Sequence, residues 1–152
     1  MKTNRKLLSL LGAGLLSASL AACGSSSSGL SKSALVSKAN SICAAAVSQS
    51  SGIQAPQSFQ NPTVVAAYLN KIEPITASAT SKLEALKPAS SVKPQWDSYI
   101  AARKYGLNLL KTLQQKANTK DPSGLADLQK VPAMQQRIVA AANALGASEC
   151  AK

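Results

Sequence analysis

From Val65 onward, Tyr68, Ile72, Ile75, Ala79, Leu83 and Leu86 recur at spacings of three and four, so a helix would carry all of them on one stripe. A β-strand would scatter the same residues over both faces, and a stripe this long has to be covered by other apolar surface. Three more segments repeat the pattern. Leu35, Ala39, Ile42, Cys43, Ala46 and Val47 predict a first helix that starts at Ser31 or Ser33 as N-cap and runs to about Ser50. Trp96, Tyr99, Ile100, Leu107, Leu110 and Leu113 predict a third from about Lys93 to Ala117. Leu125, Leu128, Val131, Ile138, Ala142 and Leu145 predict a fourth from Pro122 to about Leu145, stopped by Gly146.

The breakers fall between these stripes. Ser51 to Asn61 holds Gly52 and Pro56 and ends in Asn61-Pro62, an N-cap followed by a first-turn proline that opens the second helix, which runs to about Leu86. Lys87 to Pro94 is a short connector, and Asp121-Pro122 repeats the cap-and-proline step. Pro74 and Pro132 lie inside apolar patterns that continue past them, which predicts a kink at Pro74 and a bend at Pro132. Aromatic residues make up 3% of the chain, while Ala, Leu, Ser and Lys abound, which favours helices over sheets. Residues 31–152 therefore predict one all-α domain, an antiparallel four-helix bundle.

Residues 1–22 have a different character. Lys2, Arg5 and Lys6 precede an apolar run from Leu7 to Leu20, interrupted by Gly and Ser and too short to span a bilayer as a helix. This is the plan of a secretory leader. Its exit, Leu20-Ala21-Ala22-Cys23, resembles the lipobox of bacterial lipoproteins, which implies diacylglycerol on the Cys23 sulfur and a mature chain that begins there. The other reading is an ordinary cleaved leader that happens to hold a Cys. Residues 23–30 then form a Ser/Gly tether, Gly24 to Gly29 having no apolar side chain to bury, with a typical reach of roughly 15 Å. The lipidated chain would sit on the extracytoplasmic face of the cell membrane.

If Cys23 is acylated, Cys43 and Cys150 remain as a pair in a compartment that permits oxidation. An up-down-up-down bundle brings the start of its first helix and the end of its fourth to one end, where the two could be bridged. The competing reading is a pair of free thiols serving redox or metal chemistry, for which a CxxC or a His would be expected and neither is present.

Three stretches also carry a family likeness: Ala39-Asn40-Ser41-Ile42-Cys43-Ala44-Ala45-Ala46, then Leu83-Glu84-Ala85-Leu86-Lys87-Pro88 followed by Trp96, and Ala144-Leu145-Gly146-Ala147-Ser148-Glu149-Cys150. Together they resemble the small helical lipoproteins of actinobacteria. The resemblance implies a four-helix fold with an N-to-C disulfide and brings over no catalytic residue. The chain departs from that pattern at Ala147-Ser148, where an apolar residue is more usual before the last Cys.

Catalysis is disfavoured by residue content. There is no His, hence no Ser-His-Asp or Cys-His nucleophile pair, and no Gly-rich phosphate loop or cofactor motif. Glu73 and Glu84 would be about 16 Å apart on a straight helix, too far for a glycosidase-type acid pair.

Charge points outward. The chain carries 17 basic and 6 acidic residues; removing Lys2, Arg5 and Lys6 leaves 14 against 6, a net of +8. Lysines spread over three helices read first as a solvated surface. A tethered domain of that charge could also rest on anionic lipid or anionic wall polymer, with Lys82, Lys87 and Lys93 grouped around the second connector. Nucleic acid is excluded as a partner by the external tether and the scarcity of stacking aromatics.

Trp96, Tyr99 and Arg103 share a helix face, with Tyr105 nearby, and form a candidate ligand-binding group: an anionic or amphiphilic ligand held by Arg103 against the Trp96 ring. The plainer reading makes the rings core and lets Arg103 snorkel to water. Two functions follow. One is a non-catalytic accessory or interaction protein of the cell envelope, docking a protein partner or the membrane, with a closed, dry core. The alternative is a carrier or sensor of a small amphiphilic or anionic ligand, with a cavity of a few hundred cubic ångströms between the helices at Pro74 and Pro132.

Overall fold

The computed structural model describes residues 29–152, apart from the side chain of Leu125, so the leader, Cys23 and most of the tether lie outside the described residues, as does the expected inward placement of Leu125. The described chain is all-helical: α1 (Lys32–Ser50), α2 (Pro62–Glu84), α3 (Lys93–Asn118), α4 (Ser123–Leu128), α5 (Val131–Leu145) and a 3₁₀ turn at Ser148–Ala151. These make four helices in space, because α4 and α5 divide the predicted fourth. No helix among the described residues is long and apolar enough to cross a membrane.

Cap chemistry sets the ends. The Ser31 hydroxyl accepts from the Ala34 N–H, and Asn61 Oδ1 accepts from the N–H groups of Thr63 at 3.0 Å and Val64 at 3.4 Å, leaving Pro62 where its missing N–H costs nothing. At Gly146 the backbone is left-handed (φ 88°). Gly146 N–H donates to Asn143 and Ala147 N–H to Ala142, a Schellman stop.

The two internal prolines behave differently. α2 runs unbroken through Pro74, held along its length by α3; just upstream, Gln114 Nε2 donates to Asn70 Oδ1 at 2.9 Å. Pro132 ends a helix instead of bending one. A proline ring clashes with the carbonyl four residues earlier, here that of Leu128, which is where α4 stops. Gln129 and Lys130 turn the chain before α5 begins.

Neighbouring helices pack in the order α1, α2, α3, α5, and the ring closes through the tail, because the 3₁₀ turn lies against both α5 and α1. One core at the α1 N-terminal end gathers Leu35, Ala39, Leu83, Tyr99, Ala142 and Leu145, all buried. A second at the opposite end gathers Val65, Leu69, Leu109 and Leu113. Leu109 takes the inward place predicted for Leu107 and Leu110, which are half-buried, and Val47, expected inside, is 46% exposed and borders an opening on the side of the bundle.

The expectation of a free tether through residue 30 needs correction at its last two positions. Leu30 N–H donates to Lys87 O at 2.7 Å and Ala89 N–H donates to Leu30 O at 2.9 Å, a parallel bridge to the α2–α3 connector. Gly29 makes this approach possible, since a Cβ there would lie 2.4 Å from the Pro88 oxygen.

Candidate functional site: a cleft between α1 and α5

Where α1 and α5 are held apart by the tail, a cleft of about 380 Å³ opens on the side of the bundle. Its walls are mostly apolar, with Ile72 and Ile75 of α2, Leu110 of α3 and Met134 and Ile138 of α5, and include the polar Ser50, Thr76 and Gln135. Gly106 lets Met134 and Ile138 lie directly on α3; a Cβ there would meet Ile138 Cδ1 at 2.9 Å and Met134 Sδ at 3.1 Å. The cleft thus lies between the regions of Pro74 and Pro132.

One end of the cleft is formed by Cys43 and Cys150. Their sulfurs are 2.05 Å apart, a bonded distance, with Cα atoms 5.1 Å apart and both residues 5% exposed. The pairing follows from the tail's path and not from helix ends meeting: Gly146 turns the chain across to the middle of α1, where Glu149 N–H donates to Asn40 Oδ1 at 3.0 Å. Ala147, three residues before Cys150, is fully buried. Behind the disulfide the Tyr99 hydroxyl lies 3.6 Å from Cys43 Sγ, and it must be the donor because a bridged sulfur carries no hydrogen.

Arg103 enters the same cleft, one turn beyond Tyr99 on α3. It makes no ion pair among the described residues, and its Nε is buried without a hydrogen-bond partner. Such a donor inside a protein costs about 1–3 kcal/mol unless something accepts from it. Burial pushes the Tyr99 phenol above its ordinary value, and the Arg103 charge acts against that rise. The rim adds Lys152, whose Nζ donates to Glu149 Oε1 at 2.6 Å. Positive charge therefore prevails at this end of a mostly apolar cleft.

The predicted ligand group divides. Trp96 is 3% exposed and stacks in the core at 5.6 Å from the Tyr99 ring, tilted by 49°. It lines a hollow at the α2–α3 connector, while Arg103 faces the cleft, so the two do not converge on one site. Tyr99 is wholly buried and serves as the wall behind Arg103. Tyr105 is exposed and carries the Arg137 guanidinium 5.6 Å above its ring.

A cluster that sequence reasoning passed over lies at the other end. Asp127 of α4 accepts from Lys116 Nζ at 2.5 Å and Lys130 Nζ at 2.7 Å, and these bonds hold its carboxyl at about 2. The Lys130 ammonium is raised in turn by the same bond. Asp121 is lowered because its Oδ1 accepts from the Ser123 N–H. Both arrangements pin the α3–α4 turn, where Lys120 takes a left-handed φ of 56°. Glu73 and Glu84, the distant acid pair, each face a lysine of α3, Lys111 at 3.9 Å and Lys104 at 2.9 Å. No group of three potential metal ligands occurs among the described residues.

The chain matches no family model, no curated protein and no solved structure, so the cleft has to be read from its own chemistry.

Proposed function

We propose that this is an exported, lipid-anchored, non-catalytic binding protein of the cell envelope that holds a small amphiphile with an anionic head in the cleft between α1 and α5. The observation that carries the reading is Arg103, whose buried Nε has no partner at the end of a cleft of about 380 Å³ with mostly apolar walls. Ligand sites are of this size and composition, with apolar lining and a few placed polar groups. A carboxylate, sulfate or phosphate head would supply the missing acceptor, and Ile72, Ile75, Leu110 and Ile138 would take the apolar limb. A pure accessory role would lead one to expect a closed core on this side of the bundle, and for that reason the carrier reading stands ahead of it. The anchor itself is argued from the Leu20-Ala21-Ala22-Cys23 exit.

Native mass spectrometry of the protein extracted from its own membrane tests the carrier role. A bound mass that disappears in Arg103→Gln and in the cleft-filling Ala46→Phe is the expected result. Repeated purification without any such mass, combined with failure of octyl phosphate to bind the extracted protein, would refute it.

A further inference from the structure

The bridge between Leu30 and the α2–α3 connector fixes more than a strand of backbone. It determines which end of the bundle the lipid-bearing chain leaves from. Gly29 lies six residue steps from Cys23, and even a fully extended chain covers about 20 Å in six steps. If Cys23 is lipidated, the connector end must stay that close to the bilayer, and the opposite end, with Phe59 and the α3–α4 turn, points away.

The connector end carries a hollow of about 460 Å³ rimmed by Lys87, Lys93 and Lys104, with Glu84, Asp97 and the edge of Trp96. Lys93 is paired with Asp97 at 2.6 Å and Lys104 with Glu84 at 2.9 Å, in both cases at the surface with the lysine 60% exposed. Lys87 makes no ion pair among the described residues, nor do the exposed Lys32 and Lys82, which start α1 and end α2 at the same end. Exposed pairs of this kind are worth little and exchange readily. A surface of phosphate headgroups therefore competes well for all of these lysines.

We infer that this end is a docking surface for the anionic leaflet, with the lysine-rimmed hollow receiving the phosphate of an anionic lipid headgroup. The inference rests on the lipid-anchor reading for its orientation, but the surface acts without the lipid. Docking in this pose lays the bundle end-on, so that the cleft, farther along α3 at Arg103, stays above the headgroups.

The test uses the mature chain with Cys23→Ser, on vesicles of phosphatidylglycerol in phosphatidylcholine against phosphatidylcholine alone. Binding should require the anionic lipid and fall steeply between about 50 and 300 mM salt. At about 1 kcal/mol for each lysine near such a surface, Lys87→Gln with Lys93→Gln should weaken binding about 30-fold. The equal-charge control, Lys71→Gln with Lys120→Gln, should change it less than about threefold. Trp96 is the single tryptophan and lies in the hollow, about 32 Å along α3 from Ala117 at the far end. Bromine-labelled phosphatidylglycerol should therefore quench its emission. Equal losses in the two double variants, an unquenched Trp96, or no binding at low salt would each overturn the inference. Failure of the anchor reading shows separately, as Cys23→Ala leaving the full chain membrane-bound with its leader cleaved.

Discussion

Replacing Arg103 by Met separates a binding residue from a structural one, because the two roles predict opposite signs. The Met stem keeps most of the packing that the arginine stem supplies against the cleft wall. What disappears is the guanidinium, with an Nε that is buried and unpartnered. An unsatisfied buried donor costs about 1–3 kcal/mol, and because Arg103 as a whole is only half-buried the lower end applies. The ligand-free variant should thus be more stable by about 1 kcal/mol, roughly 4 °C in melting temperature for a domain of this size. Affinity for an anionic amphiphile should move the other way. A charge-assisted hydrogen bond contributes about 1.5–3 kcal/mol, so octyl phosphate should bind about ten- to hundredfold more weakly by calorimetry, while octanol binding is unchanged. Loss of the nearby positive charge should also move the Tyr99 ionisation further upward in an ultraviolet titration. A variant that melts lower and binds octyl phosphate as before would show that Arg103 is a packing residue, and the cleft would lose its assigned ligand.

Changing both Cys43 and Cys150 to Ala opens a loop with a sequence separation of 107, for which chain entropy sets a loss of up to about 5 kcal/mol, measurable as the drop in denaturation midpoint relative to the oxidised protein. Asp127 has a folded value of about 2 against an ordinary 3.8, so its stabilising effect is complete above about pH 4 and is lost as the pH falls through about 2. The melting-temperature gap between wild type and Asp127→Asn should accordingly be constant from neutral pH to about 4 and close by about 2; a gap that persists below that would place the effect elsewhere. Gly29→Ala puts a methyl where the Pro88 oxygen lies 2.4 Å away, so the bridge must open and the Leu30 and Ala89 amides should exchange with solvent much faster, with a stability loss of about 1–2 kcal/mol.

Much of this architecture is legible in the chain because its ends and faces are written in local chemistry. Ser31, Asn61 and Gly146 mark helix termini through groups that act within a few residues, and the α2 stripe is regular enough to survive Pro74. Pro132 shows the limit: the same residue breaks one helix and not another, although α3 packs beside both. Trp96 and Arg103 share a face by spacing, but seven residues are two turns, about 10 Å along the axis. That distance is enough to give one the connector hollow and the other the cleft. Asp127 and Lys130 are visible as a pair three apart, whereas Lys116 joins them only through the turn at Lys120. Leu30 carries no sequence signal for its bridge, since a backbone pairing of two residues leaves no periodicity to detect.

The tail links closure of the fold to the presence of the cleft. If α1 packed directly on α5, the Ile138 side of α5 would meet the Ala46 side of α1 and the space between them would vanish. Instead Ser148–Ala151 sits between the two helices, with Ala147 and Cys150 buried, and the disulfide binds this wedge to α1. The bond therefore stabilises the bundle and also keeps two helices apart, with Tyr99 donating to its sulfur and Arg103 one turn farther along α3. Cutting it loosens the wedge at its outer end, leaving the Asn40–Glu149 bond and the packing of Ala147 and Ala151 to hold it. The Cys43→Ala, Cys150→Ala protein should consequently bind octyl phosphate more weakly than its stability loss alone explains, even at temperatures where it is fully folded. Undiminished binding by the folded variant would show that the cleft is shaped by the four helices and that the tail only closes the chain.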